Sequence, residues 1–154
     1  RRISNVATID ADPVTVQTFL YENPMTGFFE PTETLAVPVE VTVLEGDWPE
    51  TGAVRRVRLS DGHYTTERIL AAEPGLLRYQ IWGLTSGAGR GVEQIGGEMR
   101  FLPDGRGTTR MEWDYNIVPR SFLAGLFVDR QVDAIDTWLE TGLGNFAAAA
   151  ATDG

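Results

Sequence analysis

The sequence predicts an α+β fold in which a meander of antiparallel strands is covered by one long C-terminal helix. Three observations carry this. Between residues 35 and 118, apolar and polar residues alternate in short runs, each ended by a turn rich in Gly, Pro or Asp. From Ser121 the period changes: Val128, Val132, Ile135, Leu139 and Phe146 recur at helical spacing, with Asp129, Asp133, Asp136 and Glu140 largely elsewhere. Consecutive strands on short turns pair antiparallel, and a sheet with one apolar face needs a cover that the terminal helix supplies.

Taken in order, Ile3–Ile9 is a strand with Ile3, Ala7 and Ile9 on one parity. Asp12-Pro13 is a helix start, with Asp at the N-cap and Pro in the first turn; Val16, Phe19 and Leu20 face inward, and Asn23-Pro24 stops the helix. Met25–Glu30 reads as a second short helix carrying Phe28 and Phe29. Leu35–Leu44 is a Val-rich strand broken by Gly46-Asp47-Trp48-Pro49. Ala53–Leu59 and His63–Ala71 form a hairpin over Ser60-Asp61-Gly62. Strands Leu76–Leu84, Val92–Leu102 and Gly107–Val118 follow, joined by the loop Thr85–Gly91 and the turn Pro103-Asp104-Gly105. The terminal helix runs about 25 residues by its periodicity, and Ala147–Ala151 either prolongs it or frays.

The length fits one domain over residues 1–154. A net charge of −9 with no basic run is a poor match to nucleic acid, whose affinity comes from neutralised phosphates. With no Cys there is no disulfide or thiolate chemistry, and with a single His a zinc site would need mostly carboxylates. No cofactor is indicated. No run approaches the ~18 apolar residues of a membrane span. The expected location is cytoplasmic; the opening Arg1-Arg2, without Met, leaves anchoring or export open, and membrane contact is expected only through such an anchor. Monomer and homodimer both remain open.

The hairpin carries the strongest hint of a site. Its turn sets Leu59 opposite His63, Val57 opposite Thr65, Arg55 opposite Glu67 and Ala53 opposite Ile69, all on one face. The other face holds Val54, Arg56, Arg58, Tyr64, Thr66 and Arg68, and its three arginines make it the wet one. Arg55 and Glu67 therefore point inward, with Cβ atoms about 4.5–5.5 Å apart. Burying two charges costs several kcal/mol per ion, and pairing often no more than breaks even. A water-containing cavity tolerates such a pair better than a dry core does. Tyr79 and Ile81 on one strand, Met111, Trp113 and Tyr115 on another, and Ile135 and Leu139 on the helix complete the predicted lining. Large apolar side chains with a few convergent polar groups are the usual make-up of a small-molecule pocket.

The segments ATIDADPVTVQTFL (7–20), GAVRRVRLSDG (52–62), TTERIL (65–70), RYQI (78–81) and FLPDGRGTTRMEWDY (101–115) resemble the START-like, or SRPBCC, superfamily. That superfamily takes in the birch-pollen allergen fold, polyketide cyclases/dehydrases and lipid-transfer proteins. The resemblance implies a helix-grip fold: a seven-stranded antiparallel sheet wrapped around the C-terminal helix, with two short helices after the first strand. It also implies a pocket between sheet and helix for hydrophobic or aromatic molecules, and relatives carry an Arg and a Glu where Arg55 and Glu67 stand. Some members catalyse ring closure and dehydration; others carry or sense ligands, so fold alone does not decide.

The leading functional reading is a binder of a hydrophobic or aromatic small molecule, polyketide- or lipid-like. The alternative is a cyclase/dehydratase- or lyase-type enzyme, with Glu67 as general base, Arg55 stabilising an enolate and a Tyr assisting. Against both stands a purely structural Arg55–Glu67 pair that fixes hairpin register. An interaction module using the wet arginine face is a third class. His63 reads as a hairpin-end residue, its inward parity leaving the cavity rim as the alternative. The GAGRG run at 87–91 lacks the following helix that a dinucleotide loop needs. Gly46-Asp47-Trp48 has the form of the lipocalin Gly-x-Trp but follows the second strand, not the first. Asp133, Asp136 and Glu140 read as a solvated helix face before they read as a cation site.

Overall fold

A computed structural model describes residues 1–23 and 25–153. Seven strands form one antiparallel sheet: β1 (Arg2–Ile9), β2 (Pro38–Glu45), β3 (Val54–Leu59), β4 (Tyr64–Glu73), β5 (Leu76–Trp82), β6 (Val92–Pro103) and β7 (Thr109–Pro119). Helix α1 (Pro13–Glu22) follows β1, and α2 (Phe122–Asp153) ends the chain. The spatial order is β1-β7-β6-β5-β4-β3-β2. Strands β2 to β7 are thus a meander, and β1 closes against the last of them. The chain crosses from one sheet edge to the other between β1 and β2, and α1 lies on that crossing. Helix α2 packs along β1 and also touches β7 and α1.

Each element follows from its sequence. The Asp12 carboxylate accepts from the Thr15 backbone N–H and from the Thr15 hydroxyl, both at 3.0 Å, and caps α1. Val16, Phe19 and Leu20 are buried as the spacing requires. Gln17, also buried, fastens α1 to the β4–β5 turn: its Nε2 donates to the Glu73 carbonyl and its Oε1 accepts from the Gly75 N–H, both at 2.8 Å. On α2, Leu139, Leu143 and Phe146 face the sheet and are almost fully buried. Phe146 meets Phe19 and Phe28 with ring centroids 5.5 Å away in each case.

The convex face of the sheet is wet, as the hairpin argument required. Charged residues on neighbouring strands pair across it: Arg58 with Glu40 at 3.5 Å, Arg78 with Glu98 at 3.1 Å and Arg2 with Asp114 at 2.9 Å. Arg56 and Arg68 lie over the rings of Tyr64 and Trp82. Such exposed pairs contribute little individually, but they keep this face in solvent and commit the opposite one to the core.

Several boundaries differ from those the sequence predicts. The second short helix is only a 3-10 turn, Met25–Gly27, after which Phe28 and Phe29 turn inward against α2. The α1 stop is made by Asn23, whose backbone N–H and side-chain amide both donate to the Phe19 carbonyl; Pro24, the other half of the predicted stop, lies outside the described residues. Strand β2 starts at Pro38 because Val37 instead bonds to the Ser60 hydroxyl of the hairpin turn. The Thr85–Gly91 loop contains a 3-10 turn at Gly89–Gly91 and then enters a strand, which no dinucleotide loop does. Helix α2 runs 32 residues and takes in the alanine run. Its first two turns leave Phe122, Leu123, Leu126 and Phe127 exposed. Among the described residues no helix is long and apolar enough to cross a membrane.

Candidate functional site

The β3–β4 register places Arg55 directly opposite Glu67 on the concave face. Arg55 Nε donates to Glu67 Oε2 at 2.7 Å, and both side chains are about five-sixths buried. The Trp48 ring, from the turn after β2, covers the guanidinium with its centroid 3.9 Å from Cζ. A cation over an indole face is attracted by the ring quadrupole, more so when desolvated. Trp48 and Glu67 thus hold Arg55 from two sides.

A second polar group lies across β5, β6 and β7. Tyr79 pairs with Gly97, and Gly97 pairs with Tyr115. A Cβ on Gly97 would overlap the Tyr79 ring at Cζ, Cε1 and Cε2, so only glycine lets that ring lie across β6. So placed, Tyr79 Oη accepts from Trp113 Nε1 at 2.9 Å. Among the described residues no hydrogen bond is donated by the Tyr79 or the Tyr115 hydroxyl, and Trp113 is the partner of Tyr79 Oη. Burial pushes the Tyr79 phenol well above its usual range, with Tyr115 and the Glu67 carboxylate adding to the effect. Burial, then the Glu67 charge, likewise pushes Tyr115 up. Both hydroxyls remain protonated donors at neutral pH.

These groups share the wall of a partly open cavity of about 270 Å³ between the sheet and α2. Of the residues the sequence singles out, Arg55, Glu67, Tyr79, Ile81, Trp113, Tyr115 and Leu139 are brought together on this wall. Met111 and Ile135 are not. Met111 has the parity of Trp113 but sits one step along β7, level with Ala7 and Phe101, and is sealed in the core. Ile135 is half-buried on α2, one turn before Leu139, packed against the core. Parity assigns a face of a strand but not a depth along it, which is why Met111 looks equivalent in sequence.

Sequence reasoning missed Trp48, Met99, Phe29 and Trp138, which also line the cavity. Phe29 and Trp138 stack with centroids 4.2 Å apart, and a Cβ on Gly142 would overlap the Phe29 ring. Trp138 Nε1 donates to the Glu30 carbonyl at 3.1 Å and Asn145 Nδ2 to the Phe28 carbonyl at 3.0 Å, so α2 holds this end of the cavity in place. Gly142 at a helical interval from Trp138 was the available signal, but its partner comes from a loop. His63 lies at the hairpin end, with Nδ1 3.1 Å from the Thr85 hydroxyl, and does not line the cavity. Among the described residues no three His, Asp or Glu side chains gather as a metal site would require.

Residues 1–151 match the family model described as polyketide cyclase / dehydrase and lipid transport. The chain belongs to that family. Solved structures place this family member among START-like folds. TTHA0849 from Thermus thermophilus superposes with a TM-score of 0.72 at 12% identity, covering 99% of each chain. The Zhui aromatase/cyclase from a Streptomyces species gives 0.66 at 19% identity, covering 99% of this chain and 92% of that one. Ara h 8.0201 gives 0.61 at 13% identity, covering 91% and 95%. At these identities the likeness concerns the fold alone. No curated protein matches the sequence. The helix-grip fold expected from the resemblance is the one observed, and the lipocalin reading falls with it, since this sheet is open and grips a helix.

Proposed function

We propose that this family member binds one hydrophobic or aromatic small molecule, polyketide- or lipid-like, in the cavity beneath α2. The observation that carries the reading is the wall itself: Ile81, Met99, Trp113, Trp138 and Leu139 offer apolar surface, and the polar groups set into it include the Arg55–Glu67 pair and the hydroxyls of Tyr79 and Tyr115. A structural ion pair would need no tyrosine donors left without acceptors beside it. In this reading a guest oxygen accepts the O–H protons that no protein group takes. In this reading Tyr79 and Tyr115 orient the guest, while Ile81, Trp113 and Leu139 hold its body. A monomer suffices, as does a homodimer.

Three of the four tryptophans, Trp48, Trp113 and Trp138, line the cavity, so intrinsic fluorescence reports occupancy. Titration with 2-acetonaphthone is expected to quench it saturably at one site per chain. Ile81→Trp, which fills the cavity, is expected to abolish the quenching. No saturable binding to the wild-type protein, together with no guest in native mass spectra, defeats the reading.

One observation favours a second, enzymatic reading of the cyclase/dehydratase or lyase kind. Glu67 Oε2 is held by Arg55, but Oε1 has no protein donor among the described residues, and Glu67 lines the same cavity as the tyrosines. In this second reading that oxygen takes a proton from a bound guest, with Arg55 or a tyrosine stabilising the resulting oxyanion. Proton–deuterium exchange at the α-carbon of a bound ketone, followed by NMR, tests it. Exchange that survives Glu67→Gln rules Glu67 out as the base.

A further inference from the structure

The charges on the cavity wall cancel. Among the described residues Arg55 and Glu67 are its only formally charged ones, and they pair with each other at 2.7 Å. The guanidinium is also covered on one face by Trp48, and its charge is already offset by Glu67 before a guest binds. A guest carboxylate would have to detach Glu67 from Arg55 or sit beside Glu67 as a second negative charge. Like charges at such spacing in a partly desolvated site are strongly disfavoured. A carbonyl oxygen meets no such obstacle, because Tyr79 and Tyr115 line the cavity with O–H groups that have no acceptor among the described residues. At roughly 30 Å³ per water, a cavity of about 270 Å³ holds about nine waters, which suits a guest of about a dozen non-hydrogen atoms.

We infer that the site selects uncharged, carbonyl-bearing molecules of about two fused rings, rejects the matching carboxylates, and that Glu67 sets this preference. The inference rests on the binding reading above and goes beyond it. Glu67 acts as a fixed counter-charge: it silences Arg55 toward anionic guests while leaving the tyrosine donors free. Glu67→Gln unmasks one positive charge in the cavity and turns the preference toward carboxylates.

The test is calorimetric titration with an isosteric pair, 2-acetonaphthone and 2-naphthoate, at neutral pH. The wild-type protein is expected to bind the ketone at least tenfold more tightly. In Glu67→Gln, with fold checked by circular dichroism, naphthoate affinity is expected to rise at least tenfold while the ketone changes less than threefold. Tyr115→Phe is expected to weaken the ketone severalfold; with the wild-type ratio it decides the matter if Glu67→Gln does not fold. Equal or tighter naphthoate binding by the wild-type protein overturns the inference while the binding reading stands. An unmoved ratio in folded Glu67→Gln does the same. If neither compound binds, the binding reading fails and takes the inference with it.

Discussion

Replacing Gly97 by Ala tests how the polar end of the cavity is built. The added methyl would occupy the space of the Tyr79 ring, which lies across β6 at that residue. Tyr79 is 8% exposed and Trp113 5%, so the ring has little freedom to yield. Overpacking a tight interior costs about 1–3 kcal/mol. Moving the ring also breaks the Trp113–Tyr79 hydrogen bond and leaves a buried indole N–H unsatisfied, a further cost of about 1–3 kcal/mol. Gly97→Ala is therefore expected to lose about 2–6 kcal/mol in urea unfolding, against Gly96→Ala as the control. A Cβ on Gly96 meets nothing within 4 Å, and relieving a strand glycine is worth up to about 1 kcal/mol, so that neighbour should be neutral or slightly stabilised. In a Tyr79→Ala background Gly97→Ala should cost under about 1 kcal/mol, since the two changes share one space. Equal tolerance of Gly96→Ala and Gly97→Ala would refute the reasoning.

Arg55→Met leaves Glu67 without its partner and is expected to destabilise by roughly 2–3 kcal/mol, somewhat less than a fully buried pair because the cavity admits water; Arg55→Met with Glu67→Met should recover most of it. Thr15 holds the Asp12 carboxyl below its ordinary 3.8 through its backbone N–H first and its hydroxyl second. The cap's contribution is therefore complete above that value and fades as pH falls through the lower folded one; the melting-temperature gap between wild type and Asp12→Ala should narrow from pH 7 to pH 2. Tyr79 and Tyr115 are held above the usual 10.0, so the stability they give is complete below pH 10 and declines as pH rises past it. The chain contains no Lys, which leaves that alkaline range to the phenols. Tyr115→Phe should spare about 1 kcal/mol of the loss between pH 10 and 11, read by urea unfolding.

The inward Arg55–Glu67 pair was legible because two local rules fix it. The Ser60-Asp61-Gly62 turn sets the register, with Gly62 at φ 85° where other residues are strained, and period-two alternation sets the face. Tyr79, Trp113 and Tyr115 were legible by the same alternation. Depth within the sheet was not, since Met111 and Trp113 share a parity and differ only in what lies above them. Trp48 and Phe29 reach the cavity from loops, whose paths no periodicity reports. Gly97 and Gly142 were visible as glycines in a strand and a helix. Their purpose appears only with the aromatic rings that lie over them, and those come from elsewhere in the chain. Helix α2 was placed correctly but underestimated, because the alanine run carries helix propensity without an amphipathic pattern to count.

The most direct measurement is a crystal structure of the protein grown with 2-acetonaphthone. The naphthyl group is expected between Trp113 and α2, its carbonyl oxygen within hydrogen-bond distance of the Tyr79 or Tyr115 hydroxyl, and the Arg55–Glu67 pair unbroken. A cavity closed by its own side chains, or the ketone lodged anywhere other than beneath α2, would contradict the binding reading.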